Sequence, residues 1–324
     1  MDRLSVIRFP IETELEQFKN LFDSSLSSSN LLLNDAITHL RQRDGKMMRP
    51  ILTLLVAGLM GRINEKTLHG SVALELLHTA SLIHDDVVDE SNERRGQLSM
   101  NALFNNKVAV LVGDFLLATC LIEASKTENN HIIQTISCLG KDLSEGELLQ
   151  LSNVQTTYFS EDVYYDVIRK KTAALFCACT QIGAFSVHAT CTQVEWARVF
   201  GEYLGISFQI KDDIFDYFDS KTIGKPTGND MMEGKLTLPV IHVLNATNDE
   251  WARGVALKVR DNKATMDEIS QLVAFTKANG GIEYAMEKMY EYQSKALALL
   301  DEMEDSTFKT SLTSFVEYVV NREK

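Results

Sequence analysis

From residue 51 onward, apolar residues recur at i, i+3, i+4 and i+7, the spacing that gathers them on one face of an α-helix. The whole chain has four prolines, Pro10, Pro50, Pro226 and Pro239, so residues 51–225 contain none. Proline removes a backbone donor and clashes with the preceding turn, so a proline-free stretch rich in Leu, Ala, Glu and Lys favours helix throughout. No window shows sustained period-two alternation, and no sheet is predicted. Helix breaks are expected at residues 27–30, 44–45, 92–96, 127–130, 221–228 and 245–249. The pattern predicts an all-α chain. With no short repeat and no low-complexity tract beyond residues 24–30, a single domain over residues 1–324 is expected.

Two segments interrupt this apolar periodicity with the same acidic spacing. The first is His84-Asp85-Asp86-Val87-Val88-Asp89-Glu90, and the second is Lys211-Asp212-Asp213-Ile214-Phe215-Asp216. Each places Asp-Asp-x-x-Asp at the end of an apolar helical stretch. At about 3.6 residues per turn, Asp85 and Asp89 share a face, as do Asp212 and Asp216. Like charges so placed raise each other's pKa and destabilise the helix unless a cation joins them. Oxygen ligands without His or Cys favour a hard cation. Mg2+ suits such a site because it is held by one or two carboxylates plus substrate phosphates.

The basic residues extend this reading. Gly45-Lys46-x-x-Arg49-Pro50 sets Lys46 and Arg49 at a helix start, where the macrodipole adds positive potential. Arg94 and Arg95 follow the first acidic cluster, and Lys171, Lys225 and Lys235 complete the set. With two carboxylate pairs they suggest two phosphorylated ligands, one held through metal and one held directly. Counting back from Asp85, the same face carries Ser81, Leu82, His78 and Leu74; from Asp212 it carries Gln209, Gly205 and Gly201. The two glycines either leave room for a ligand or allow close helix packing. Metal-bearing helix ends above an apolar shaft suit a diphosphate head with a long hydrocarbon tail.

Composition narrows the partners. Lys and Arg number 32 against 45 Asp and Glu, a formal charge of −13, and 45% of residues are hydrophobic. That apolar fraction excludes intrinsic disorder. The acidic balance argues against nucleic acid, although clustered cations still permit small anionic ligands. Five cysteines without a Cys-x-x-Cys pair indicate neither a disulfide framework nor a zinc ribbon, and they read as buried reduced thiols. The N-terminus lacks the apolar run of a signal peptide. Residues 172–190 are uncharged but carry Thr, Gln, Ser and His, which suits a buried helix better than a membrane span. No basic amphipathic helix supports membrane binding. A cytoplasmic protein without stable membrane insertion is expected.

The ordered set Gly-Lys-x-x-Arg-Pro (45–50), Asp-Asp-x-x-Asp (85–89), Arg-Arg-Gly (94–96), Gly146-Glu147-x-x-Gln150, Lys171-Thr172, Phe208-Gln209-x-x-Asp212-Asp213-x-x-Asp216 and Lys235-x-Thr237-Leu238-Pro239 resembles the trans-isoprenyl diphosphate synthase family. The likeness spans about residues 40–240, and the remainder fits only as helices. It implies an all-α fold around a deep central cavity, usually in a homodimer. It also implies Mg2+-dependent head-to-tail condensation of isopentenyl diphosphate with an allylic diphosphate such as farnesyl or geranylgeranyl diphosphate. Asp85, Asp89, Asp212 and Asp216 would hold Mg2+ on the allylic diphosphate. Arg94, Lys171 and Lys235, with Lys225, would contact that same group. Lys46, Arg49, His78 and Arg95 would hold isopentenyl diphosphate, and Thr172 and Gln209 would aim oxygen dipoles at the allylic cation.

The resemblance further places control of product length one turn above the first acidic cluster, where bulky aromatics stop elongation. Here Ala80 and Ser81 are small, which implies a long product in the hexaprenyl to nonaprenyl range, with Leu77, Leu74 and Phe115 as a deeper floor. One departure is Gln97-Leu98-Ser99-Met100-Asn101, where the family usually has Pro-Thr before the Asn. Alternatives are a short-chain synthase, a cyclase or head-to-head synthase, a non-catalytic partner subunit, and a helical His-Asp phosphohydrolase with His84 as a metal ligand.

Overall fold

The computed structural model describes residues 3–41, 46–94, 96–153, 159–218 and 227–322, with backbone alone for residue 3 and residues 150–153. The helices are α1 (Arg3–Arg8), α2 (Glu12–Ser25), α3 (Leu31–Arg41), α4 (Met48–Met60), α5 (Glu65–Val88), α6 (Met100–Phe104), α7 (Asn106–Lys126) and α8 (Asn130–Asn153). They continue as α9 (Glu161–Ile168), α10 (Ala174–Ser186), α11 (Cys191–Phe215), α12 (Asn229–Met232), α13 (Leu238–Thr247), α14 (Glu250–Arg260), α15 (Met266–Ala278), α16 (Gly281–Asp301) and α17 (Thr307–Asn321). The breaks expected at 27–30, 127–130 and 245–249 fall between helices, whereas 44–45 and 221–226 lie outside the described residues.

One element departs from the all-helical expectation. Strands β1 (Glu93–Arg94), inside the break at 92–96, and β2 (Gln97–Leu98), just after it, pair antiparallel. Two residues a side are too few to leave an alternation in the sequence.

The chain gathers into two compact units. The first comprises Met1–Lys141, Phe176–Gly201 and Glu302–Phe315; the second comprises Asp142–Leu175, Glu202–Asp301 and Val316–Lys324.

In the first unit α5 is the central helix, packed on α7, α4 and α2. Its start is fixed by a capping box. Asn64 accepts from the Lys66 and Thr67 amides at 2.9 and 3.3 Å, while Thr67 Oγ1 accepts from the Asn64 amide at 3.2 Å. Leu52, Leu54 and Leu55 of α4, Val72, Leu74 and Leu76 of α5, and Leu116 of α7 are fully buried. Each contributes about 1.5–3 kcal/mol by leaving water. The α5–α7 contact also buries Glu123, which is held by His69 Nδ1 at 2.6 Å and Lys126 Nζ at 2.7 Å. At Gly201 the close-packing reading of the small face of α11 holds. An added Cβ would sit 2.7 Å from the Cys177 Cα and 2.5 Å from Thr180 Oγ1, so the position serves close packing on α10.

In the second unit α13 packs on α16, α15 and α9. Tyr284 donates to Glu161 at 2.7 Å, and the Asn245 amide donates to the Phe159 carbonyl at 2.8 Å.

The cysteines correct one expectation. Cys120 and Cys179 are buried, and burial pushes both thiols up to about 12, but Cys138 and Cys191 are exposed. Within the uncharged stretch 172–190, α10 has most of its residues buried, as expected of a core helix. Among the described residues, α7 is the one helix long and apolar enough to cross a membrane by length and composition, and 44% of it is buried in the protein.

Candidate active site

The first acidic motif closes the C-terminal end of α5, and the helical register continues through it. The Asp89 amide donates to the Asp85 carbonyl at 2.8 Å, which keeps the two carboxylates one turn apart on one face. A helix C-terminus carries partial negative charge, so Asp85, Asp89 and Glu90 gather where acidic groups are least favoured. No basic residue occupies the last turn of α5. Local stability does not explain this arrangement, whereas an incoming cation does.

The three aspartates have different roles. Asp86 is buried at 1% exposure and accepts from Arg94 Nε at 2.7 Å. Asp85 is half-buried and Asp89 exposed. The carboxylates at the first and last positions of the motif are therefore the accessible pair, and the middle one fastens Arg94 to the helix end. Arg94 stands on β1, and the hairpin is pinned from below. Ser99 Oγ donates to the Ser91 carbonyl at 2.6 Å, and the Asn101 amide donates to the same carbonyl at 3.0 Å. Ser99 thus closes the loop at the position where the sequence departs from the family pattern. Arg95 lies outside the described residues.

Arg49, in the first turn of α4, makes a two-pronged pair with Glu75 of α5 at 2.8 and 3.0 Å. Burial works against its charge, but the field and hydrogen bonds of Glu75 leave its pKa above the ordinary guanidinium value. Lys46 is exposed just before that helix, and His78 is half-buried one turn beyond Glu75 on α5. Gly45 lies outside the described residues. His84, the ligand expected of a phosphohydrolase, instead turns to α7, where Nε2 donates to the Val110 carbonyl at 3.2 Å.

The small residues above the motif also separate. Ala80 is fully buried, whereas Ser81 is half-buried and donates to the His78 carbonyl at 2.9 Å. Leu77 is 6% exposed and Leu74 fully buried. A Cβ built on Gly140 would lie 3.7 Å from Leu77 Cδ1, an ordinary contact.

In the second unit, Lys171 and Thr172 sit in a single π-helical turn, Arg169–Ala173, between α9 and α10. Such turns widen the backbone locally and recur at functional sites. Gly146 and Glu147 are explained by this turn. A Cβ on Gly146 would lie 2.8 Å from Lys171 Cγ, so only glycine lets α8 approach, and Glu147 then pairs with Lys171 Nζ. Neighbouring Lys170 pairs with Glu145 at 2.5 Å. The Gln150 side chain is not among those described.

Thr172 Oγ1 donates to Gln209 Oε1 at 2.6 Å, and Gln209 Nε2 donates to Asp213 Oδ1 at 2.8 Å. Asp213, the middle aspartate of the second motif, is 2% exposed. Burial and nearby Asp230 raise its pKa well above the carboxylate range. Asp216 accepts from the Asn229 and Asp230 amides at 3.0 and 3.1 Å, acting as the N-terminal anchor of α12. Asp212 is the most open of the three, with 45% of its side chain exposed. Arg322, near the C-terminus, donates to its Oδ1 and to the Phe208 carbonyl while lying 3.7 Å over the Phe208 ring. Lys235 pairs with Glu233 at 2.7 Å just before α13, and Lys225 lies outside the described residues.

Sequence spacing did not reveal Glu75, Tyr164 or Arg322, nor the Lys171 partner of Glu147. All four act across long sequence separations. Among the described residues no three His, Cys, Asp or Glu side chains converge into a metal cage. Each motif instead offers hard oxygen donors at the negative end of a helix. That incomplete donor set fits Mg2+, which takes its remaining ligands from phosphate and water.

The polyprenyl synthetase family matches residues 30–276 of this chain. The all-trans-nonaprenyl-diphosphate synthase (geranyl-diphosphate specific) of Rhodobacter capsulatus is 34% identical over 97% of this chain and 96% of its own length. A crystal structure of geranylgeranyl pyrophosphate synthase from Bacteroides thetaiotaomicron is 56% identical, with a TM-score of 0.89 over 99% of this chain and 100% of that one. A polyprenyl synthase from Caulobacter crescentus CB15, complexed with calcium and isoprenyl diphosphate, is 28% identical, with a TM-score of 0.91 over 98% of each chain.

Proposed function

This chain belongs to the polyprenyl synthetase family, and we propose that it condenses isopentenyl diphosphate head to tail with an allylic diphosphate, releasing a long-chain all-trans polyprenyl diphosphate and diphosphate. The observation that carries this reading is the pair of accessible carboxylates, Asp85 and Asp89, set one turn apart at the negative end of α5 with Arg94 fastened beside them. On this reading residues 1–324 form a single synthase domain.

Asp85, Asp89 and Asp212 would hold Mg2+, with Asp216 completing the second motif. When bound there, the metal would supply positive charge for a diphosphate leaving group. Arg94, Lys171 and Lys235, with Lys225, add positive charge at that same leaving group. Lys46, Arg49, His78 and Arg95 hold the second diphosphate. There the planar Arg49 guanidinium, already braced by Glu75, presents a fixed fork rather than a mobile chain. The double bond of isopentenyl diphosphate attacks the cation, and the released diphosphate takes the proton. No protein nucleophile is needed. Water must be kept out, because it would capture the cation as an alcohol.

The test is Mg2+-dependent incorporation of labelled isopentenyl diphosphate on a farnesyl diphosphate primer, with chromatography of the dephosphorylated products. A single polyprenol longer than geranylgeraniol is expected. Geranylgeraniol alone would retain the chemistry and overturn the length reading from Ala80 and Ser81. No incorporation with any allylic primer would overturn the reading itself.

The active form is a homodimer joined through α7. Val110, Leu111, Leu121 and Ile122 are 40%, 66%, 62% and 55% exposed on one side of that helix, a stripe of large apolar side chains interrupted by exposed Asp114 that a soluble surface rarely leaves uncovered. A second copy of the same stripe is self-complementary across a two-fold axis. Leu111→Asp with Leu121→Asp is expected to convert the dimer to monomer in analytical ultracentrifugation. An unchanged sedimentation coefficient would move the interface elsewhere.

A further inference from the structure

Tyr164 belongs to none of the motifs, yet it reaches the second acidic cluster from α9. Its side chain is buried at 7% exposure, and its hydroxyl donates to Asp213 Oδ2 at 2.5 Å. The other oxygen of Asp213 accepts from Gln209 Nε2, and Gln209 Oε1 accepts from Thr172. Four side chains from α9, the π turn and α11 thus form one line, buried at Tyr164 and Asp213 and half-buried at Gln209 and Thr172.

The line has a direction. A glutamine amide can turn by half a rotation at almost no steric cost, exchanging its acceptor oxygen for its donor nitrogen. In this arrangement Asp213 Oδ1 accepts from the Gln209 nitrogen, which sets the Gln209 oxygen on the Thr172 side. We propose that Tyr164 and Asp213 are positioning residues that lock the amide of Gln209, so that oxygen lone pairs of Gln209 and Thr172, not N–H groups, face the allylic cation. This deepens the condensation reading above and rests on it. A carbocation is stabilised by an oxygen dipole and repelled by an N–H dipole, so a flipped amide would shorten the useful life of the cation. It would also favour capture by water, in which the allylic carbon gains a hydroxyl, a proton is released and diphosphate departs.

The roles can be separated by product partition. Wild-type incorporation is measured first. Its absence overturns the condensation reading and this inference with it. With wild type active, Tyr164→Phe is expected to lower kcat about tenfold. It should also raise the fraction of primer released as allylic alcohol about fivefold, leaving the KM of both diphosphates within about twofold. In a Gln209→Ala background the same substitution is expected to change kcat by less than about twofold, because its partner in the line is gone. An unchanged alcohol fraction, or full additivity of the two substitutions, would overturn the positioning role while leaving the condensation reading intact. If Tyr164→Phe fails to fold, Asp213→Asn replaces it. Its amide can donate to Gln209 and favours the flipped state, so a larger alcohol fraction is expected there, and an unchanged one counts against the proposal.

Discussion

Asp85→Ala is expected to reduce kcat by about 10²–10³-fold or more while leaving the melting temperature unchanged or slightly raised. The two effects come from the same geometry. Asp85 stands one turn from Asp89 at the negative end of α5, where both charges repel each other and the helix dipole. Removing one charge relieves about 0.3–1 kcal/mol of that repulsion. The same deletion takes away half of the carboxylate pair that a divalent ion needs. Asp212→Ala should behave likewise in turnover.

Asp213→Ala, one residue away, separates from both in the stability measurement. It would strand the hydroxyl of Tyr164 and the amide of Gln209 in a buried setting, at a cost of about 1–3 kcal/mol for each unsatisfied group. A drop of several degrees in melting temperature should follow. Steady-state kinetics with scanning calorimetry on the three variants decides the matter. Near-normal rates in Asp85→Ala or Asp212→Ala would sink the two-motif mechanism, and a fully stable Asp213→Ala would deny that the middle aspartate is structural.

The division of labour within each motif shows what local spacing can and cannot reveal. A period of about 3.6 residues is enough to place Asp85 with Asp89 on one face, because that relation is set by the helix alone. It is also enough to call the chain helical, since the lack of proline and the apolar repeat act residue by residue. Which aspartate is buried depends on a partner from elsewhere. Asp86 is claimed by Arg94 on a hairpin too short to show a pattern, and Asp213 by Tyr164, 49 positions earlier. Arg322 reaches Asp212 from 110 positions away. The π turn at Lys171 was equally silent, because its extra residue is accommodated by Gly146 on a different helix. Sequence spacing identifies the chemistry at a helix end, and tertiary pairing decides which atom is left to perform it.

Product length turns on the same distinction, and Ser81→Phe is expected to shorten the polyprenyl product by several isoprene units. Ser81 and Ala80 are adjacent and both small, but they point into different surroundings. Ala80 has no exposed surface, whereas Ser81 keeps part of its side chain open on the face that leads back from Asp85. Growth of the chain along α5 consumes about 5.4 Å of depth per helical turn, close to one extended isoprene unit. A phenyl ring at Ser81 would stand across that path about one turn above Asp85, so elongation should end after the first additions. A ring at Ala80 has no such space. It must displace packed neighbours, at a cost of about 1–3 kcal/mol, and Ala80→Phe should therefore appear as a lower melting temperature. Chromatography of dephosphorylated products from both variants, with a melting curve for each, tests the assignment. Shorter products from Ala80→Phe with unchanged products from Ser81→Phe would place the path on the Ala80 side of the helix. Unchanged products from both would move length control down to Leu77 and Leu74, where the side chains are already large and buried.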